Sequence, residues 1–278
     1  MNREYILRVG FFFGIFVMIA LWEAVAARRK LGSPKAERWI SNLGIVFLNT
    51  LVVYWLFPVT AVGLAALSQE RSWGLLNNFP LPAAPALILG VVSMDLAIYL
   101  QHVMFHAVPI LWRLHRVHHV DLDFDVTTGL RFHPLEIALS MLIKLAVVVM
   151  LGPSPIAVLV FEILLNGTAM FNHGNIRIPQ SVDRALRLFV VTPDMHRVHH
   201  SILVRETNSN FGFNLPWWDR LFGTYRSQPT AGHEGMTIGI SDFRDRRRWS
   251  LPWMLALPFI GEAGIYPFAG RTDPGRSP

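Results

Sequence analysis

The sequence predicts an all-α fold: a multi-span helical membrane protein with a histidine-rich cap on the cytoplasmic side. Three observations lead there. Apolar residues make up 52% of the 278 positions and charged residues only 16%, against roughly a quarter charged in soluble domains. Several apolar runs approach or exceed the roughly 20 residues that a helix needs to cross a bilayer core. The pentapeptide His-Arg-Val-His-His occurs twice, at 115–119 and 196–200.

The runs are taken in order. The first, 5–27, has Arg8 and Glu23 near its ends; it is too long for the h-region of a signal peptide and reads as a retained anchor. The second, 43–67, holds no charge and is the strongest span. The third, 81–105, opens with Pro82 and Pro85 and carries Asp95 inside. Two shorter runs, 134–151 and 155–171, flank Gly152-Pro153-Ser154-Pro155, a turn signal that makes them arms of a helical hairpin. At 1.5 Å per residue each arm reaches about 26 Å, enough either to cross barely or to re-enter. The remainder, 106–133 and 172–278, is polar and loop-rich and forms the cap. A Trp- and Pro-containing stretch at 251–268 suits the membrane surface. One domain over 1–278 is expected, with no nucleotide loop and no appended electron-transfer domain.

The formal charge of +6 is placed beside the apolar runs. Arg28, Arg29, Lys30, Lys35 and Arg38 separate the first two runs, and Arg244, Arg246, Arg247 and Arg248 lie in the tail. This is the pattern of cytoplasmic membrane flanks and speaks against nucleic acid as a partner. The loop 68–80 has only Arg71, so the first loop and the end of the third span are expected in the cytoplasm. The Ala/Arg-rich composition and the lack of an endoplasmic-reticulum retrieval tail point to a bacterial inner membrane. With no cysteine, disulfides, thiolate-ligated haem, cysteine-bound iron–sulfur clusters and cysteine nucleophiles are excluded. Any metal chemistry must use nitrogen and oxygen ligands.

Histidines at i, i+3 and i+4 share a helix face, so each pentapeptide can aim three imidazoles at one point: His115, His118 and His119, and His196, His199 and His200. His102 and His106 form an i, i+4 pair at the end of the third span, and His173 is a ninth candidate. A lone histidine is more often a satisfied polar residue, but gathering eight without a counter-ion costs several kcal/mol in desolvation and repulsion. A divalent metal removes that cost, and imidazole suits iron and zinc. One ion takes four to six ligands, so this set fits two ions with positions left open. Ligand type does not exclude zinc. The depth of the pair capping the third span, within reach of an acyl chain or ring system, favours oxygen chemistry. The two pentapeptides must lie on one side of the membrane to meet, and the hairpin between them returns the chain to that side.

The segment 95–225 resembles the fatty acid hydroxylase/sterol desaturase superfamily of integral membrane di-iron proteins. Asp95-x3-Tyr99-x2-His102-x3-His106 is similar to its first box, and Trp112-Arg113-Leu114-His115-Arg116-Val117-His118-His119 to its second. His133-Pro134-Leu135-Glu136 and Phe171-Asn172-His173-Gly174-Asn175 resemble the elements between. Thr192-Pro193-Asp194-Met195-His196-Arg197-Val198-His199-His200 resembles the last box, followed by Asn210-Phe211-Gly212 and a segment from Trp218 to Tyr225. The resemblance implies two irons held by histidines, a membrane lipid substrate, and O2-dependent hydroxylation or desaturation of a C–H bond. Sterol, fatty acyl, carotenoid and ether lipid substrates all fit. It also implies an external electron donor, a ferredoxin, rubredoxin or b-type cytochrome with its reductase. The chain departs from the pattern at Val103, where Arg is common, and at Ala169, where some members have a histidine. Asn166 or Asn172 could substitute there.

Other residues carry alternatives. Asp95 either orients His102 or His106 from behind or makes a helix-packing contact. His133 is either a group behind the ligands or a loop residue. Glu136 favours a dipole role at its helix start, and Asp194 an N-cap. Glu162 and Lys144 either pair or line a cavity, His233 is solvated, and Trp217 and Trp218 act as interface anchors. Two other classes compete. A zinc-dependent membrane hydrolase wants about three ligands and a carboxylate base as in His-Glu-x-x-His, which is missing. A metal transporter would place ligands near mid-membrane on several spans.

Overall fold

A computed structural model describes residues 3–245 and 249–268. Arg246, Arg247 and Arg248 of the basic tail lie outside the described residues. Secondary structure there is helical, with two isolated bridges, Ala27 to Ile176 and Ser201 to Ile238, and no strands.

Helix α1, Arg3–Val25, begins the chain, and α2, Lys35–Leu56, follows Pro34. The expected single span over 43–67 is corrected here. It breaks at 57–60, because Pro58 disfavours a helical residue before it, and Phe57 sits at φ −123°, ψ 89°. Helix α3, Ala61–Glu70, restarts with the Thr60 hydroxyl accepting from the Gly63 N–H at 3.0 Å. Helix α4 is Ala83–Ala107, and one extended residue, Val108, turns the chain into α5, Pro109–His119. The hairpin is formed by α6, Pro134–Leu151, and α7, Pro155–Asn172. Between them Gly152 is left-handed at φ 64°, and a Cβ there would lie 2.6 Å from the Trp73 carbonyl, so only glycine fits. Two short helices complete the frame, α8 at Gln180–Leu186 and α9 at Pro193–His199.

Among the described residues five segments are long and apolar enough to cross a membrane: Glu4–Val25, Lys35–Asn78, Ala83–Ala107, Pro134–Leu151 and Pro155–Asn172. The chain is on that ground an integral membrane protein. Helix α7 is central, packing on α1, α3 and α4, while α2 and α3 pack on α6. Met94, Ile98, Val148, Val158 and Phe161 form the core where these helices meet. Burying each such side chain is worth roughly 1.5–3 kcal/mol against water. The outward faces stay apolar, with Phe13, Phe47, Trp55 and Met150 all more than half exposed, as lipid-facing surfaces should be.

Of the two roles open to Glu162 and Lys144, pairing is the one seen, at 2.7 Å, and Arg8 of α1 joins them at 2.9 Å. A second cluster lies under the cap. The Arg38 guanidinium donates to both Asp121 oxygens at 2.8 Å and to Asp125 at 2.7 Å, all fully buried. It ties α2 to the loop that follows α5, and the adjacent Arg38 charge holds the Asp121 carboxyl down at about 2 despite its burial.

Candidate metal centre

The nine histidines converge in two abutting groups. His102, His106, His115, His119 and His199 each bring one nitrogen within 4.8 Å of all the others, and His118, His173, His196 and His200 do the same. All nine are buried. Helix α4 supplies His102 and His106 from its last turns, α5 and α9 supply the pentapeptides, and His173 follows α7 directly. Gly129 is needed beside it, since a Cβ there would lie 2.5 Å from the Ala169 carbonyl and 2.9 Å from His173 Nδ1.

Each pentapeptide divides its imidazoles. His115 and His119 enter the first group and His118 the second; His196 and His200 enter the second and His199 the first. The expectation that each copy aims three imidazoles at one point is therefore corrected. At 3.6 residues per turn the i and i+4 side chains diverge by about 40°, whereas i+3 and i+4 diverge by about 100°. The i, i+4 pair serves one group and the i+3 residue leans into the other. His119 and His200 stack at the junction, ring centroids 4.6 Å apart.

The outer nitrogens fix the tautomers. His102 Nδ1 lies 2.8 Å from the Phe211 carbonyl, His173 Nδ1 2.7 Å from that of Ala169, and His199 Nδ1 2.8 Å from that of Ser209. His115 Nδ1 is 2.6 Å from Glu136 Oε1, and His106 Nδ1 is 3.1 Å from Asn208 Oδ1. All five partners are acceptors, so each Nδ1 carries the proton and each Nε2 presents a bare lone pair inward. Those lone pairs face one another: His102 Nε2 and His115 Nε2 are 3.1 Å apart. His173 Nε2 lies 3.1 Å from the Nε2 atoms of His118, His196 and His200, whose Nδ1 atoms have no hydrogen-bond partner among the described residues. Converging bare lone pairs repel unless a cation lies between them, so the residues present fit a metal in each group.

Protons do not supply that cation. Burial pushes His115 and His173 down to about 3. His118, His119, His196, His199 and His200 are held well below the usual imidazole value by burial and by their neighbours. Neutral imidazole is the metal-binding form.

Several expectations resolve differently. Asp95 touches neither His102 nor His106. It accepts from the Asn214 side chain and the Trp218 indole at 2.8 Å each, and from the Asn214 and Leu215 N–H groups. It thus braces the loop that carries Phe211, as does Asp219, which accepts from the Phe211 and Gly212 N–H groups at 2.8 and 2.9 Å. His133 does not reach the ligands either: its Nδ1 caps α6 at Leu135 N and its Nε2 meets the Leu255 carbonyl. Thr192, not Asp194, caps α9, and Asp194 pairs with Arg197 and Arg28. His233 is buried at 6% exposure instead of solvated. Trp217 keeps an exposed face, while Trp218 is committed to Asp95. Asn166 and Asn172 direct their amide N–H groups to the Glu162 and Phe213 carbonyls. Sequence reasoning missed Glu136, which the dipole argument had explained away, and Asn208. It also missed the three carbonyls, which leave no trace in side-chain identity.

Residues 87–224, just under half of the chain, match the fatty acid hydroxylase family. The chain is 31% identical over 150 residues to ornithine lipid hydroxylase OlsE of Rhizobium tropici, covering 53% of this chain and 44% of that one. It is 28% identical over 173 residues to human alkylglycerol monooxygenase, covering 60% and 37%. It is 26% identical over 229 residues to rat cholesterol 25-hydroxylase, covering 78% and 72%. The chain thus spans less than half the length of the first two. No solved structure matches it significantly.

Proposed function

We propose that this protein hydroxylates or desaturates a C–H bond of a membrane lipid, using O2 and two iron ions held by the nine histidines. The observation that carries the reading is the pair of abutting groups whose inner lone pairs face one another. In this reading His102, His106, His115, His119 and His199 hold one ion, and His118, His173, His196 and His200 the other. The irons supply O2 activation and C–H abstraction when bound. Iron is favoured over zinc because the relatives' names are hydroxylase and monooxygenase.

The chain's own part is to position and to exclude water. Glu136 and Asn208 hold His115 and His106 with Nε2 inward. Asp219 and Asp95 fix the loop whose Phe211 carbonyl orients His102. Phe132, stacked on His118 at 4.5 Å, and Phe124, near His173 and His200, keep the second group dry. The five cations between α1 and α2 and in the first turns of α2 support a cytoplasmic centre under the positive-inside rule, in an inner membrane of bacterial type. Electrons come from an external ferredoxin, rubredoxin or b-type cytochrome. The test is metal analysis of the purified protein, with lipid extracts compared by mass with and without its expression, in air and under anaerobic conditions. Two irons and an O2-dependent gain of one oxygen or loss of two hydrogens are expected. Two zincs, or a product formed equally without O2, would end the reading in favour of a hydrolase.

A further inference from the structure

An open cleft of about 580 Å3 lies where α1 ends and the chain turns towards α2. Arg28, Arg29, Lys30, Lys35 and Arg177 line it, with Glu23 the carboxylate among its walls. The frame is built, not loose. Ala27 and Ile176 form an antiparallel bridge, with Arg28 N donating to Asn175 O at 2.9 Å and Arg177 N to Ala26 O at 2.8 Å. The Asn175 amide accepts from Arg29 N and donates to Arg29 O.

The local carboxylates are already committed. Glu23 Oε1 accepts from the Val126 and Asn175 N–H groups at 2.7 and 2.8 Å. Asp123, which faces Arg29, accepts from the Gly32 and Ser33 N–H groups. Arg28 is neutralised by Asp194 and Glu234. The remaining cations are less closely matched. Arg29 gives Nη2 to the Met236 carbonyl, while its Nη1 is buried with no hydrogen-bond acceptor among the described residues. Lys35 lies 4.6 Å over the Trp39 ring. Arg177 is 62% exposed and only comes within 3.9 Å of Glu234. Lys30 is exposed and makes no ion pair among the described residues.

Four cations around one concavity, one with a buried idle donor, attract an anion. The position decides which. The cleft sits at the end of a membrane helix whose outer face is apolar up to Trp22, which is the level of lipid headgroups. A concave pocket there suits a headgroup with its tail along α1 better than a protein face, which needs on the order of 800 Å2 of matched surface. We propose that this cleft binds the phosphate or carboxylate headgroup of an anionic membrane lipid. The inference stands apart from the oxidation chemistry, and it holds whichever metals fill the histidine groups.

The experiment is native mass spectrometry of the full-length, metal-bound protein released from nanodiscs of mixed phosphatidylglycerol and phosphatidylcholine. The wild type is expected to retain phosphatidylglycerol preferentially. The Lys30→Gln/Arg177→Gln double variant should lose that preference by about fivefold per cation removed, with metal content unchanged. The charge-keeping Lys30→Arg/Arg177→Lys variant should restore it. Inorganic phosphate should fail to displace the lipid; if it displaces it fully, the site is one for free anions and the proposal falls. Equal retention by wild type and double variant also overturns it. So does a double variant that keeps the lipid but loses turnover with a protein reductant while keeping it with a small-molecule reductant, which makes the cleft a redox-partner face.

Discussion

Glu136 Oε1 lies 2.6 Å from His115 Nδ1, both groups buried. A carboxylate behind an imidazole fixes its tautomer and raises its basicity as a ligand. Glu136→Gln should therefore leave the fold intact and weaken metal binding by about 10–100-fold. Titration with Fe(II) or Zn(II) under competition from a chelator checks this. Unchanged affinity would mean that Glu136 serves only its helix.

The crossed sorting of the pentapeptides makes a stoichiometric prediction. The double variant His119→Ala/His199→Ala should empty the first group and His118→Ala/His200→Ala the second, although 118 adjoins 119 and 199 adjoins 200 in sequence. Metal per chain should fall from about two to about one in each double variant. Elemental analysis reads this directly, and loss of all metal in either double variant would mean that the two groups act as one site.

Asp219 collects the Phe211 and Gly212 N–H groups and the Thr224 hydroxyl. Asp219→Ala leaves buried donors unpaired, at about 1–3 kcal/mol each. A drop in thermal stability is expected, together with loss of turnover exceeding loss of metal, because the Phe211 carbonyl no longer aims His102. Asp219→Asn should recover part of both.

His233 gives a pH prediction. Burial, with the nearby Arg197 and Arg28 charges, lowers it to about 4, against the pull of Asp194. Its ordinary value is about 6.5. The folded state then binds fewer protons than the unfolded one between those values, so stability is fully present above pH 6.5 and is lost as pH falls towards 4. His233→Gln should flatten the slope of stability against pH in that window by up to one proton. Denaturation of both proteins at matched metal content from pH 7 to 4 checks it, and parallel slopes would exclude the assignment.

Glu162 is shared by Lys144 and Arg8. Lys144→Met leaves one partner in place and should be tolerated, whereas Glu162→Leu strands Lys144 and should cost about 3–5 kcal/mol. Thermal unfolding in detergent distinguishes them.

Much of the fold and of the site is legible in the sequence. The hairpin arms follow from Pro134, Pro155 and Gly152 almost to the residue, because proline and glycine act locally. The histidine set was legible because the pentapeptide repeats. Its division into two groups was not, since that depends on how α5 and α9 rotate against each other. The break before Pro58 was hidden by an uninterrupted apolar run, and hydrophobicity says nothing about backbone continuity. For Asp95 the sequence leaves open a place behind the ligands or a helix-packing contact, and for His133 a place behind the ligands or in a loop. The structure spends them on a loop and a helix cap, and gives His115 to a residue 21 positions away.

The alternation at 118–119 and 199–200 has a consequence for biogenesis. Neither group can be completed by α5 or by α9 alone, and α6 and α7 must be threaded through the lipid before the two come together. Metal offered to a half-made chain would find only partial nests. Uptake of a full complement would thus report that membrane insertion has finished, with the metal as the last fastener of the whole topology.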